Sequence, residues 1–237
     1  MSDRIFPERG IMYEDIEQNL KNIFAELSDG NDRGEKITLV AATKFVPFDR
    51  INAAINFGLT HIGENKAQEF RDKFSFYAPC VKHFIGRIQE NKLKYIVGKA
   101  DVIDSVDSLK LAESISERAK ALGITQDIML EVNVGNDENK GGFSSDEIFQ
   151  AVERIYSLPS LRLKGLMSML PKTDDDRLIA GLTEEMRSIY DKLKSNSSDI
   201  EFLSVGTSGD YKIAIKHGSN AVRLGTAIFG ERDYGVK

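Results

Sequence analysis

Tryptophan is absent from the 237 residues, cysteine occurs once and histidine three times. A single thiol, Cys80, excludes an internal disulfide and a cysteine metal cage. It also has no plausible base to make it a nucleophile. His61, His83 and His217 show no metal-ligand spacing, so a structural role is expected for each. No apolar run reaches membrane-spanning length, and Met1–Arg9 carries no apolar core of signal-peptide size. An excess of positive charge is missing as well: 32 Lys and Arg stand against 37 Asp and Glu, a net charge of −5. With no basic block or basic helix face, nucleic acid and anionic membrane are poor partners. The expectation is a cytoplasmic protein in a reducing compartment, acting as a monomer.

What is there is ordinary for a soluble protein, with 41% hydrophobic and 29% charged residues. The length suits a large α/β domain with a substantial core. The run Ile37-Thr-Leu-Val-Ala-Ala-Thr-Lys44 is rich in β-branched and small apolar residues, as in a parallel strand buried on both faces. Phe45-Val46-Pro47 is expected to end it, since proline removes a ladder donor. Lys44 then stands at the carboxyl end of the strand, where α/β proteins place ligands. A lysine that merely snorkels to water is the alternative.

From this strand onward, β and α patterns alternate. A helix over about Ile11–Leu27 precedes it, followed by a polar loop to Gly34. Further strands are expected at His61–Gly63, Val81–Ile85, Val102–Val106, Ile128–Val134, Leu163–Leu170, Phe202–Val205 and Ala221–Phe229. Helices fall between them: one capped by Asp49 and closed by Gly58, then Lys66–Phe74, Leu93–Val97, Ser108–Leu122, Ser145–Leu158 and Asp176–Leu193. A short helix closed by Gly218 precedes the last strand. Eight β-then-α units in a chain near the usual barrel length of about 250 residues give a single α/β domain over residues 1–237. The expected fold is a (β/α)8 TIM barrel with an extra N-terminal helix (residues 1–34 with its loop) and a tail at 231–237. A doubly wound open sheet is the rival.

Barrels commonly hold a phosphate between the loops after strands seven and eight. There the chain reads Ser204-Val-Gly-Thr-Ser-Gly-Asp-Tyr211 and Val222-Arg-Leu-Gly-Thr-Ala-Ile-Phe-Gly230. Gly206, Gly209 and Gly225 let backbone N–H groups approach an anion. Thr207, Ser208 and Thr226 add hydroxyls, a helix start adds its positive end, and Arg223 a fixed planar cation. An ordinary turn and cap is the competing explanation of the glycines and serine. In a closed barrel strand one lies beside strand eight, which brings Lys44 to the same mouth. A lysine beside a phosphate site points to a Schiff base with a phosphorylated aldehyde, most obviously pyridoxal 5′-phosphate. A neighbouring positive charge and partial burial would favour the neutral amine. A class I aldolase needs acid–base partners that are not evident.

Four segments, His61-Ile-Gly-Glu-Asn65, His83-Phe-Ile-Gly-Arg-Ile-Gln-Glu-Asn-Lys92, Gly165-Leu-Met-Ser-Met169 and Arg223–Gly230, resemble the signatures of the pyridoxal-phosphate homeostasis proteins, the YggS/PROSC group. The likeness runs from about Val40 to Tyr234. It implies a barrel like the N-terminal domain of alanine racemase, with pyridoxal phosphate held as a covalent aldimine on Lys44. It also implies that Ser208, Gly225 and Thr226 hold the phosphate, that Arg223 faces the pyridine nitrogen, and that Asn65 lies near the aldehyde end. Val205 and Thr207 stand where the family usually has methionine, and Thr207 becomes an added candidate phosphate donor.

Arginine at the pyridine nitrogen disfavours the proton that would make the ring a strong electron sink. A racemase of this fold also needs a second base, normally donated by another domain, which the sequence does not supply. Both point to a protein that buffers or delivers the cofactor to pyridoxal-phosphate-dependent apoenzymes without strong catalysis. A weak amino-acid racemase is the enzymatic alternative, and a phosphorylated-sugar enzyme without pyridoxal a third. Asn133 is expected on the ligand face, in contact with the ring or as a cap. Met167 and Met169 are expected on opposite faces of strand six. Glu90 is expected at a helix start, and the run Asp174–Asp176 at a solvated helix N-terminus.

Overall fold

The computed structural model describes residues 13–231, so Ile11 and nearly all of the 231–237 tail lie outside it. Helix α1 (Glu14–Leu27) leads into strand β1 (Thr38–Ala42). Then follow α2 (Phe48–Asn56), β2 (His61–Glu64), α3 (Ala67–Lys73), β3 (Val81–Phe84), β4 (Val102–Val106), α4 (Leu109–Ala121) and β5 (Gln126–Glu131). The chain continues through α5 (Ile148–Tyr156), β6 (Leu161–Ser168), α6 (Asp176–Asn196), β7 (Phe202–Thr207), α7 (Tyr211–Lys216), β8 (Ala221–Leu224) and α8 (Thr226–Phe229). All eight strands are parallel and close into a barrel in sequence order. Closure is made by β1 on β8, with Val40 opposite Arg223 and Ala41 opposite Leu224. The expected TIM barrel with an additional N-terminal helix is the observed fold.

Two apolar layers hold it. Between barrel and helices, Ile103, Ile128, Leu130 and Leu166 pack against Ile115, Val152, Met186 and Tyr190. On the opposite side Ile16 and Leu20 of α1 join Ala41, Ile62, Val222 and Leu224 with Ile228 and Phe229 of α8. Burying each such side chain contributes roughly 1.5–3 kcal/mol, so α1 belongs to the barrel's second wall. Local signals set the helix ends. Ser108 accepts the Leu111 N–H at the start of α4, and Asp175 accepts those of Arg177 and Leu178 at the start of α6. Gly123, at φ +68°, ends α4 in the left-handed conformation that glycine adopts without strain.

Several boundaries differ from expectation. β1 stops at Ala42, well before Pro47. Thr43 N still bonds Gly63 O at 2.9 Å, but Phe45 turns left-handed (φ +61°) and Val46 N closes the turn on Thr43 O at 3.0 Å. Lys44 therefore sits in a turn rather than on the strand. The eighth strand ends at Leu224 instead of Phe229. Gly225 O accepts the N–H groups of Ile228 and Phe229, both at 3.0 Å, winding α8. Apolar Ala227-Ile-Phe229 suits a buried helix turn as well as a strand, and periodicity cannot separate them over so few residues. β5 ends at Glu131 rather than Val134, and the helix after β3 is a 3-10 segment at Glu90–Tyr95, beginning earlier than Leu93. Asp49 lies inside the first turn of α2, where Pro47 takes the cap position.

Candidate functional site

Arg223 stands on β8 and is 4% exposed inside the barrel. Its Nη1 donates to the Ser204 carbonyl at 2.7 Å and the Ser204 hydroxyl at 2.5 Å. Its Nη2 donates to the Ser168 carbonyl at 2.8 Å and meets the Met169 sulfur at 3.1 Å. Complete burial pushes its pKa down, against Asp104, Glu131 and Asp210, which favour the charged form. Four neutral acceptors thus orient the guanidinium, and carboxylates farther off balance its charge.

The loops after β7 and β8 meet beside it. Thr207 pairs with Arg223 across the strands. The Ser208 hydroxyl accepts the Gly225 N–H at 3.4 Å, joining the two loops. Thr226 is exposed at the first turn of α8. Thr207 differs from its neighbours: its N–H and its hydroxyl both donate to Asp210 Oδ1, at 2.5 and 3.1 Å, so the side chain closes the loop on itself. Gly206 (φ +108°) fits because a Cβ there would lie 2.8 Å from the Tyr211 Cα.

Across the β8–β1 seam, the Thr43–Phe45 turn carries a half-buried Lys44. An ion cluster under this turn fixes it. Glu64, with no exposed side-chain surface, accepts the Asn65 N–H at 2.8 Å, the Thr43 hydroxyl at 3.2 Å and Lys73 Nζ at 3.3 Å. Lys73 also reaches Glu69 at 2.7 Å, and Glu69 accepts the Phe45 N–H at 2.9 Å. Burial pushes the Glu64 carboxyl up, and Lys73 pulls it back. The turn with Lys44 and the start of the Asn65 loop are therefore tied to one buried carboxylate. Asn65 Oδ1 is buried with no hydrogen-bond partner, an acceptor positioned for a ligand donor.

Further into the barrel a chain of polar groups crosses three strands. His61 Nδ1 lies 3.0 Å from His83 Nε2, and His83 Nδ1 lies 2.8 Å from Asp104 Oδ1. Desolvation, with the second imidazole beside it, lowers His61 to about 4. His83 and Asp104 are each 1% exposed. Among the described residues no group of three or more His, Cys, Asp or Glu is placed to hold a metal ion. His217 is elsewhere, paired with Glu184 at 2.7 Å.

Met167 and Met169 share a side, contrary to expectation. Met167 packs with Val102 and Met129 inside the barrel, and Met169 meets Arg223 there. Residues two apart on a strand face the same way. Asn133 binds Asp137, its Nδ2 donating to the carbonyl and its Oδ1 accepting the N–H, so it caps the loop after β5. Ser204, Ser168, Glu64, Lys73 and Asp104 were not singled out by sequence, because each acts through a partner on another strand or helix. Glu64 had a signal, being inside the His61–Asn65 motif. The motif glycines also have a cause: a Cβ on Gly86 would fall 2.0 Å from the Asn65 carbonyl oxygen, and one on Gly63 would fall 2.9 Å from Val40 and Ile85.

A lysine turn, an amide with an orphaned acceptor, a buried arginine and a hydroxyl–glycine cradle thus occupy the carboxyl-terminal mouth of a closed barrel. Known proteins share this frame. A family model described as the alanine racemase N-terminal domain matches residues 50–233, which gives the class of barrel. The pyridoxal phosphate homeostasis protein of Aquifex aeolicus (strain VF5) is 38% identical over 206 residues, covering 85% of this chain and 90% of that protein. That of Escherichia coli (strain K12) is 32% identical over 233 residues, covering 94% and 99%. PipY of Synechococcus elongatus PCC7942, solved with PLP bound, superposes with a TM-score of 0.78 at 25% identity over 91% of this chain and 100% of that one. Alanine racemase of Clostridium difficile 630 shares the fold, with a TM-score of 0.76 at 17% identity; the match covers 92% of this chain and 57% of that one. The chain belongs to the pyridoxal phosphate homeostasis protein family. Among the described residues no helix is long and apolar enough to cross a membrane.

Proposed function

We propose that this protein binds pyridoxal 5′-phosphate at the carboxyl-terminal mouth of the barrel, attached covalently at Lys44, and stores or hands over the cofactor without strong catalysis. The likeness to relatives named for pyridoxal phosphate homeostasis, and to PipY with PLP bound, supports the ligand. When bound, the cofactor supplies an electrophilic aldehyde and an electron-accepting ring.

The residues present fit such a group. The Ser208 hydroxyl and the N–H groups at Gly225 and Thr226 suit a phosphate dianion. The Asn65 acceptor, orphaned in the protein, suits a donor at the aldehyde end. Thr207 is the weaker phosphate donor, since its hydroxyl proton goes to Asp210. Arg223 carries the reading. Its guanidinium is buried, carries only donors and is tied to carbonyl oxygens, so it would present a fixed positive charge, and no proton acceptor, to the pyridine nitrogen of a bound cofactor. That disfavours a proton on the nitrogen and weakens the ring as an electron sink. The Glu64–Lys73 pair acts earlier, by holding the Lys44 turn and the Asn65 loop in place.

The test is a visible absorption spectrum of the protein with pyridoxal phosphate, followed by incubation with each amino acid in deuterated water. A visible band, with α-hydrogen exchange no faster than that of free cofactor, is expected. Rapid exchange would favour a racemase-like enzyme, and a protein that stays colourless would end the cofactor assignment.

A further inference from the structure

Outside the barrel mouth, a cavity of about 490 Å³ opens between the loop after β2, the start of α3 and the segment after β3. Lys66, Arg87 and Lys92 line it, with Asn65, Gln68 and Gln89 supplying amides and no carboxylate in the wall. In a chain where acids outnumber bases, this concentration of positive charge is local. None of the three cations has a carboxylate within salt-bridge distance among the described residues. Glu90 is drawn to Lys110 and Glu69 to Lys73. Arg87 is exposed, and its charge partly offsets the rise that burial gives the Glu131 carboxyl. Lys92 is half-buried, and Phe84, Ile88 and Ile96 add an apolar part to the same wall. Asn65, whose Oδ1 is buried and unpartnered, forms the shared wall.

We infer that this cavity is a second anion site, which takes a small organic phosphate monoester. A planar fork and two point charges suit a tetrahedral dianion, the amides direct it, and the apolar part of the wall accepts its organic part. The volume admits a molecule of metabolite size and no macromolecule. The site also touches the Lys44 turn. Lys66 Nζ lies 3.9 Å from the centroid of the Phe45 ring, and Phe45 is held left-handed directly after Lys44. An anion that draws Lys66 away removes a cation–π contact from that turn. This last coupling rests on the function proposed above; the anion site itself does not.

Calorimetric titration of the full chain with phenyl phosphate and with inorganic phosphate tests the site. The wild type is compared with Arg87→Met/Lys92→Met and with Ser208→Ala/Thr226→Ala, which alters only the cradle at β7 and β8. Phenyl phosphate should bind more tightly than inorganic phosphate. It should weaken by about ten-fold or more in the Arg87/Lys92 variant and be retained in the cradle variant. Lys92→Glu, placed in the Ser208→Ala/Thr226→Ala background, should abolish the binding that this background retains, with the thermal midpoint unchanged. The reverse pattern, with binding lost only in the cradle variant, would overturn the site. So would the absence of saturable binding, or binding in that background left equal by Lys92→Glu. A protein that fails to take up pyridoxal phosphate yet shows the expected pattern keeps this site and loses the cofactor reading.

Discussion

Arg223 and Ser204 are joined twice: one guanidinium nitrogen donates to the serine carbonyl at 2.7 Å and to its hydroxyl at 2.5 Å. The second nitrogen is spent on the Ser168 carbonyl of the next strand. A planar fork reaching from β8 to β7 and β6 fixes the position of the buried charge before any ligand arrives. Lysine has the charge without the fork. Arg223→Lys should leave at least one buried carbonyl unserved, costing about 1–3 kcal/mol in urea unfolding, and should speed cofactor dissociation. Unchanged stability would show that the fork is not what holds this position.

The Glu64–Lys73 pair gives a second prediction. Lys73→Met leaves a carboxylate with no exposed side-chain surface and no cation beside it, which costs about 3 kcal/mol. Burial already raises the Glu64 pKa in the folded state. The folded chain therefore holds that proton more tightly than the unfolded chain, and stability falls as pH rises through the interval between the two values. Without Lys73 the interval widens. The deficit should be largest at neutral pH and shrink on acidification, and adding Glu64→Gln should recover most of it. A pH-independent deficit would point to lost packing instead.

His61 predicts the opposite pH dependence. Its folded value is near 4 against an ordinary 6.5. Between those values the unfolded chain binds a proton that the folded chain refuses, so stability is lost as pH falls through this window. The ring is partly exposed, so after allowance for solvent the loss is about 1 kcal/mol. His61→Asn should flatten the acid limb of a plot of stability against pH and leave the neutral value nearly unchanged. An acid limb of the same slope would contradict this.

Gly206 makes a backbone prediction. At φ +108°, with the Tyr211 Cα 2.8 Å from where a Cβ would lie, Gly206→Ala meets both strain and a clash. A loss of about 1–3 kcal/mol is expected, with hydrogen exchange rising first in α7. Wild-type stability would mean that the loop has room to shift.

The alternation of strands and helices could be read from the sequence because parallel strands buried on both faces leave long apolar runs. β4 is buried along its whole length. What failed was local. The left-handed Phe45 is unusual for a bulky residue, and nothing in Thr-Lys-Phe-Val-Pro announces it. Ala227-Ile-Phe229 is apolar in a strand or a helix alike, and its packing on α1 decided for the helix.

Within the site, the cradle motifs lay close together in sequence and were visible. The supports of Lys44 came from Glu64, Glu69 and Lys73, where only the ion pairs of the folded chain reveal a shared task. The chain His61–His83–Asp104 was legible in principle. These residues fall on successive strands, each two positions beyond the register partner of the one before (His61 opposite Val81, His83 opposite Val102), so their side chains meet diagonally.

Lys44 is the proposed point of covalent attachment for the cofactor. Borohydride reduction of the protein with pyridoxal phosphate, then peptide mapping by mass spectrometry, locates the covalent attachment directly. The pyridoxyl label is predicted on the peptide containing Lys44, and Lys44→Ala should carry none there while keeping weaker, phosphate-dependent binding. A label on another lysine of the wild-type chain, or none, would contradict the account.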